Sequence, residues 1–222
     1  KPEVRFMLYN CENPLIKLLS VDRLSWKGGQ FRVQPRHHGA LSYRISGSGV
    51  IRCNGKGEFM VIVVINEENE LVRNVMIPEM QKRFPEIISI MLVINNKFND
   101  IITDLPFENV YGEECLIETM KAPREGHDDL KFRVGPVSFF QTNVYQGERL
   151  YKAAFDLADV KGDELMYDLY TGTGTIALYF ARFVKEVVGV EYVEEAIADA
   201  KINSEFNNIN NVKFYAGDMA KV

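Results

Sequence analysis

Two glycines and one acid, near the ends of two predicted strands, are the residues whose types and spacing best fit a chemical task. Gly172 and Gly174 follow a predicted strand within the segment Asp168–Thr175, and Glu191 ends the next strand. Glycines let the backbone turn and come close to a ligand, and an acid about 20 residues further on can bind the hydroxyls of a ribose. The spacing therefore predicts a site for a ligand that contains adenosine.

The acids near this turn help to distinguish two adenosine cofactors. A dinucleotide-binding turn has a third glycine, and Ala177 stands at that position here, which some dinucleotide folds accept. Asp168 precedes the turn, and a carboxylate there repels a pyrophosphate but attracts the sulfonium and ammonium groups of S-adenosylmethionine. We therefore expect S-adenosylmethionine. Asp218 follows the third predicted strand and is placed to meet the adenine amino group, although an ordinary turn aspartate is the alternative.

A second notable segment is Phe139-Phe140-Gln141-Thr142-Asn143, which lies just before a predicted helix. The two phenylalanines are most simply core residues. Gln141 and Asn143 are polar where a core strand does not need polarity. They either bind the edges of a ligand or cap the helix, and Asn143 is a good candidate for the N-cap.

The chain changes architecture near residue 143. Before it, alternating apolar residues and an Asn-Gly turn predict a hairpin over Gly49–Ile65, and further segments predict a helix, a strand and a second hairpin (74–84, 89–95 and 130–140). After it, helices and strands alternate, which is typical of a parallel α/β sheet. The predicted helices are 144–157, 175–183 and 194–206, and the predicted strands are 163–169, 187–190 and 212–215. We place the domains at 1–125 and 126–222, because a polar, linker-like segment lies near the boundary.

Composition indicates an ordinary globular protein of 222 residues. No apolar run approaches the ~20 residues that span a bilayer, and the first residues do not form a signal peptide, so we expect a cytoplasmic protein. Three widely spaced cysteines indicate reduced thiols and neither a zinc site nor a disulfide framework. Residues 1–60 carry a net charge of +6 within a chain of −5. This basic segment is either an RNA-contacting surface or simply a solvated face.

Taken together, these motifs resemble the uracil-5 RNA methyltransferase family, from about Gly49 to Val222. The resemblance is most specific in segments 138–143, 168–175, 189–191 and 217–218. It implies part of a Rossmann-like class I S-adenosylmethionine-dependent methyltransferase fold, preceded by a smaller, strand-rich mixed domain that contacts RNA. The family's cofactor-binding positions match Gln141, Tyr170, Gly172, Thr175, Glu191 and Asp218.

The resemblance implies methylation of uridine C5 in RNA, with rRNA favoured over tRNA. The family's nucleophilic cysteine and proton-abstracting glutamate lie beyond the part that matches Val222, so no catalytic residue is assigned here, and Cys11, Cys53 and Cys115 are not the nucleophile. Neither the RNA-binding β-barrel nor the iron–sulfur site of some members is visible, and no metal or obligate protein partner is indicated. The alternatives are a methyltransferase of another specificity and a non-catalytic RNA-binding protein.

Overall fold

The computed structural model describes residues 6–8, 24–26, 31–33 and 47–218, and the chain divides into two compact units, Lys1–Leu116 and Ile117–Val222. Most of the basic segment 1–60 lies outside the described residues. The domain boundary expected near residue 125 stays a prediction.

A five-stranded mixed sheet organises the first unit. Its order is β1 (Phe6–Leu8), β4 (Gly47–Cys53), β5 (Phe59–Ile65), β6 (Ile87–Ile94) and β7 (Glu108–Gly112). A separate antiparallel pair is formed by β2 (Leu24–Trp26) and β3 (Phe31–Val33). The hairpin predicted from the Asn-Gly turn is confirmed as β4–β5. Asn54 fixes this turn, because its side-chain oxygen accepts hydrogen bonds from the backbone N–H groups of Lys56 and Glu58.

A helical crossover joins the parallel strands β5 and β6. It consists of one π-helical stretch, Val72–Met76, followed by α1 (Ile77–Arg83). Pro78 has no N–H and cannot continue regular helical bonding, and the change of helix type falls just before it. The crossover packs its buried residues on β5 and β6, and the first unit's core consists of Phe59, Val61, Val63, Ile65, Val72, Met76, Ile77, Ile87, Ile90 and Leu92.

Three parallel strands, in the order β10 (Leu165–Leu169), β11 (Glu186–Glu191) and β12 (Val212–Ala216), organise the second unit. Its helices are α2 (Val144–Ala158), α3 (Thr175–Ala181) and α4 (Glu194–Phe206), so the predicted α/β alternation is confirmed. Aromatic side chains pack α2 against α3, with Phe155 beside Tyr179 and Phe180. Along β10 every second side chain is exposed, namely Leu165, Tyr167 and Leu169.

The second predicted hairpin is wrong in its pairing. Strand β9 (Leu130–Val134) forms as expected, but it pairs with β8 (Leu116–Met120), and residues 137–140 form no strand. Ser138 accounts for the difference, because its hydroxyl accepts from the N–H of Gly135 and donates to the carboxylate of Asp199. These bonds hold the chain as a compact turn that leads away from β9.

The cysteines depart in part from expectation. Cys115 forms no disulfide, but Cys53 is disulfide-bonded, so the prediction of reduced thiols is wrong for Cys53, while Cys11 lies outside the described residues. Among the helices of the described residues, none has the length and apolar character needed to cross a membrane.

Candidate functional site

The carboxyl ends of β10, β11 and β12 meet at Glu191, the last residue of the central strand. The N–H of Thr171, beyond β10, donates to the carbonyl of Val190 at 3.0 Å, and the N–H of Gly217, beyond β12, donates to the carbonyl of Glu191 at 2.9 Å. Ligands of open α/β sheets bind at this edge. The register of the three strands therefore brings the glycine turn, Glu191 and the segment that contains Asp218 to one edge.

The glycine turn is a run of left-handed backbone conformations. Tyr170, Gly172 and Gly174 have φ values of 65°, 55° and 82°. A Cβ on Gly174 would lie 3.0 Å from the ring of Phe214, so this position needs glycine for packing as well as for conformation. A Cβ on Gly172 would meet no atom within 4 Å. The turn is therefore closely packed at Gly174, whereas the backbone at Gly172 is open and leaves space for a ligand.

The carboxylate of Glu191 borders that open space. Its Oε2 accepts from the N–H of Gly172 at 3.1 Å, and its Oε1 accepts from the N–H groups of Tyr192 at 2.8 Å and Val193 at 3.1 Å. A carboxylate offers about four acceptor sites, so three are occupied and one remains, on Oε2. The side chain is half-buried. Glu191 is thus held in one orientation by backbone donors while it can still accept from a ligand hydroxyl.

Asp168 supports the turn from inside. Its Oδ2 accepts from the hydroxyl of Thr171 at 2.6 Å and from the N–H of Ala177, in the first turn of α3, at 2.9 Å. Burial raises the pKa of this carboxyl, the two hydrogen bonds oppose that rise, and the nearby charge of Glu191 adds to it. Asp168 therefore orders the glycine turn and the start of α3.

The segment of residues 139–143 reaches the same turn. The hydroxyl of Thr173 donates to the carbonyl of Phe139 at 3.4 Å. Asn143 is the N-cap of α2, since its side chain accepts from the N–H of Gln146 at 3.0 Å, which decides between the two roles considered for it. A Cβ on Gly147 would lie 3.2 Å from the Cβ of Gln141, so Gln141 packs closely on α2. Among the described residues, its amide makes no hydrogen bond and can accept or donate to a ligand.

The remaining expected site residues lie at the same edge. Tyr170 is 74% exposed at the end of β10, and Thr175 begins α3. Asp218 follows Gly217, whose N–H is bound to Glu191. Tyr192, 76% exposed and next to Glu191, also belongs to this edge, although sequence reasoning did not select it. An aromatic residue directly after the strand-ending acid was the available signal.

Sequence reasoning also missed Asn203, whose side chain donates to the carbonyl of Thr173 in the glycine turn at 3.1 Å. Its signal was a polar residue spaced three positions after Ala200 and six after Ile197, which are the buried apolar residues of α4. Within the described ranges, no group of three or more His, Cys, Asp or Glu side chains could hold a metal ion.

These features fit an adenosine-containing ligand. The backbone at Gly172 leaves room where a side chain would stand, and the oriented carboxylate of Glu191 lies beside that room with an acceptor site free. An acceptor carboxylate at the end of the second strand suits ribose hydroxyls. The two neighbouring acids, Asp168 and Glu191, make the edge negative, which suits a cationic ligand better than a pyrophosphate.

Comparison with known proteins agrees with this geometry. A family model described as a methyltransferase domain matches residues 161–222. An RNA methyltransferase of Bacteroides thetaiotaomicron, described as uncharacterized, is 47% identical over 77% of this chain and 37% of its own length. A similarly described RNA methyltransferase of Porphyromonas gingivalis is 44% identical over 78% of this chain and 36% of its own length. The chain thus spans little more than a third of the length of these relatives.

A solved structure agrees as well. The tRNA (uracil-54, C5)-methyltransferase of Pyrococcus abyssi, in complex with S-adenosyl-L-homocysteine, matches with a TM-score of 0.58 and 29% identity, over 76% of this chain and 38% of that one. The match extends well beyond the segment covered by the family model. With the glycine turn, the strand-ending acid and the parallel sheet in place, the chain is related to RNA methyltransferases and has the S-adenosylmethionine-dependent methyltransferase fold.

Proposed function

We propose that this chain is part of an enzyme that methylates C5 of uridine in RNA, with S-adenosylmethionine as the methyl donor and rRNA favoured over tRNA as the substrate. The observation that carries the proposal is the Glu191 carboxylate, oriented by three backbone N–H groups beside the open backbone of Gly172. The relatedness to RNA methyltransferases supports RNA as the substrate.

In this proposal each site residue has a distinct task. The free acceptor site of Glu191 binds a ribose hydroxyl, and the backbone at Gly172 lets the cofactor approach closely. Asp218 accepts from the adenine amino group. Tyr170, Thr175 and Gln141 border the remainder of the cofactor, and the Cβ and Cγ of Gln141 pack close to Gly147 in α2. When bound, S-adenosylmethionine supplies an electrophilic methyl group.

The methylation of uracil needs a cysteine nucleophile and a base, and neither role is assigned to a residue of this chain. Uracil C5 is a poor nucleophile, and addition of a cysteine thiolate to C6 makes C5 reactive, as covalent catalysis generally divides a difficult step. C5 would then take the methyl group from the sulfonium, and S-adenosylhomocysteine would be left. A base would remove the C5 proton, and the thiolate would be eliminated from C6. The target uridine is flipped out of its stack so that the enzyme can reach it. In the family this cysteine is none of the three cysteines present here.

The test is an intact-mass spectrum, under denaturing conditions, of the full-length protein after incubation with S-adenosylmethionine and RNA containing 5-fluorouridine. Fluorine cannot leave as a cation, so a uracil-5 enzyme is expected to stall as a covalent protein–RNA adduct. Methylation of ordinary RNA without an adduct would instead favour a methyltransferase of another specificity. RNA binding with neither methylation nor adduct would favour a non-catalytic RNA-binding protein.

A further inference from the structure

Helix α4 carries a row of polar side chains on the face that it turns toward the rest of the second unit. Asp199, Asn203 and Asn207 follow one another at intervals of four residues, with Asn207 as the residue that ends the helix. Asn203 is fully buried, and Asn207 is 7% exposed. Residues four apart lie on one face of a helix, so the three side chains form a single line. A buried amide lowers stability unless its donors and acceptor are hydrogen-bonded. The hydrogen-bond partners of these side chains therefore show which segments the helix holds in place.

The line binds strand β9 and the turn that follows it. Asn207 accepts from the N–H of Lys131 at 2.8 Å and donates to its carbonyl at 2.6 Å, as a neighbouring strand would. Asn203 accepts from the N–H of Arg133 at 2.8 Å. Further along, Asp199 accepts from the hydroxyl of Ser138 at 2.6 Å. The segment that leads to Gln141 is therefore attached to α4 at successive points.

Asn203 differs from its neighbours because it also reaches the glycine turn. Its amide nitrogen donates to the carbonyl of Thr173 at 3.1 Å, while its oxygen holds Arg133. The Thr173 carbonyl belongs to the peptide that precedes Gly174, so this bond fixes the orientation of the turn. On its other side, Thr173 donates to the carbonyl of Phe139. The buried amide of Asn203 thus joins β9 to the glycine turn, and the Thr173 hydroxyl joins that turn to Phe139, so the two segments that would form opposite walls of the cofactor site are linked through Thr173.

We propose that Asn203 is a positioning residue for the cofactor site, which sets the glycine turn in register with the segment of Phe139–Gln141. The inference rests on the proposed function, because it assumes that the cofactor lies between these segments. It extends that function by making affinity depend on a side chain that is fully buried and lies behind the turn. An asparagine suits the task, since one amide supplies both the acceptor for Arg133 and the donor for Thr173.

The variant Asn203→Asp tests this role with almost no change of shape. The aspartate keeps an acceptor for the Arg133 N–H but faces the Thr173 carbonyl with a second acceptor, so that attachment is lost. Asn207→Asp is the matched control. It also replaces a buried amide on α4, keeps the acceptor for Lys131 and loses the donors, but Asn207 does not bond to the glycine turn.

Binding of S-adenosylhomocysteine to the full-length protein is measured by calorimetry, together with thermal unfolding and the amide NMR signals of Gly172 and Gly174. We expect Asn203→Asp to raise Kd about tenfold and to shift both glycine signals. Asn207→Asp should lower the melting temperature similarly but keep Kd within about twofold, because its bonds lie outside the turn. Equal affinity in the two variants would overturn the proposal, since Asn203 would then be only structural.

Two further variants cover the case in which Asn203→Asp does not fold and separate failure of the positioning role from failure of the cofactor site. If Asn203→Asp does not fold, Thr173→Val removes the hydroxyl bond to Phe139 at the other end of the same bridge, and an unchanged Kd in that variant overturns the inference. Glu191→Ala distinguishes this inference from the proposed site. Lost affinity in Glu191→Ala with unchanged affinity in Asn203→Asp refutes the positioning role alone, whereas unchanged affinity in both variants refutes the cofactor site itself.

Discussion

Replacing Glu191 by alanine removes the acceptor around which the candidate cofactor site is arranged. Of the roughly four acceptor sites of its carboxylate, backbone N–H groups occupy three, which leaves one for a ligand hydroxyl. One hydrogen bond to a charged group contributes about 1.5–3 kcal/mol. A second ribose hydroxyl must share an oxygen with a backbone donor and adds little. We therefore expect Kd for S-adenosylhomocysteine to rise about 10- to 150-fold.

The assay is a calorimetric titration of the full-length protein with S-adenosylhomocysteine. Glu194→Ala is the matched control, because it removes one negative charge from the exposed first turn of α4. Its Kd should stay close to that of the wild type. Thermal unfolding of both variants checks that the fold persists, since Glu191→Ala also leaves three backbone N–H groups to bind water instead. A Kd of Glu191→Ala within about twofold of the control would refute the site. A twofold change corresponds to only about 0.4 kcal/mol, which is too small for a charge-assisted hydrogen bond.

Three further substitutions test the packing and electrostatics behind the site. Gly174→Ala, at φ 82° and 3.0 Å from the Phe214 ring, should lower the free energy of unfolding in urea by about 1–3 kcal/mol; no loss would contradict the left-handed turn. Gly189→Ala places a Cβ 2.7 Å from the same ring, and a loss of about 1–3 kcal/mol is expected in the same assay, whereas a neutral result would show that the ring moves freely. Burial raises the pKa of Asp168 above its ordinary 3.8, so the stability linked to its proton is present at low pH and lost as the pH rises above that value. The melting temperature of Asp168→Asn minus that of the wild type should therefore increase as the pH rises from about 4 to 7. A difference that does not change with pH would contradict the raised pKa.

The elements that could be predicted from the sequence are those governed by neighbours along the chain. The Asn54-Gly55 turn forms through bonds within four residues, and α4 begins and ends as its local pattern indicates. The glycine turn and Glu191 could be paired because the connection between adjacent parallel strands has a nearly constant length, which places the two strand ends side by side.

The elements that could not be predicted depend on distant partners. Residues 137–140 follow a turn signal that usually makes a hairpin, but Ser138 bonds to Asp199, 61 positions later. The backbone N–H of Arg133 in β9 is likewise bound by the side chain of Asn203, 70 positions later. No local pattern indicates such pairs. The support that Asp168 gives to the turn was missed for another reason. The residue type fitted a ligand-facing acid equally well, and only the fold shows that its Oδ2 binds Thr171 and Ala177.

The amides of α4 have a consequence for how this chain meets other chains. An unpaired strand edge offers its N–H and carbonyl groups to any passing strand and is a common start of aggregation. On β9, the outward N–H groups of Lys131 and Arg133 and the carbonyl of Lys131 are already bound by Asn207 and Asn203. The helix therefore closes this edge against intermolecular β-sheet growth, and variants at either asparagine reopen a template for aggregation in addition to any effect on stability.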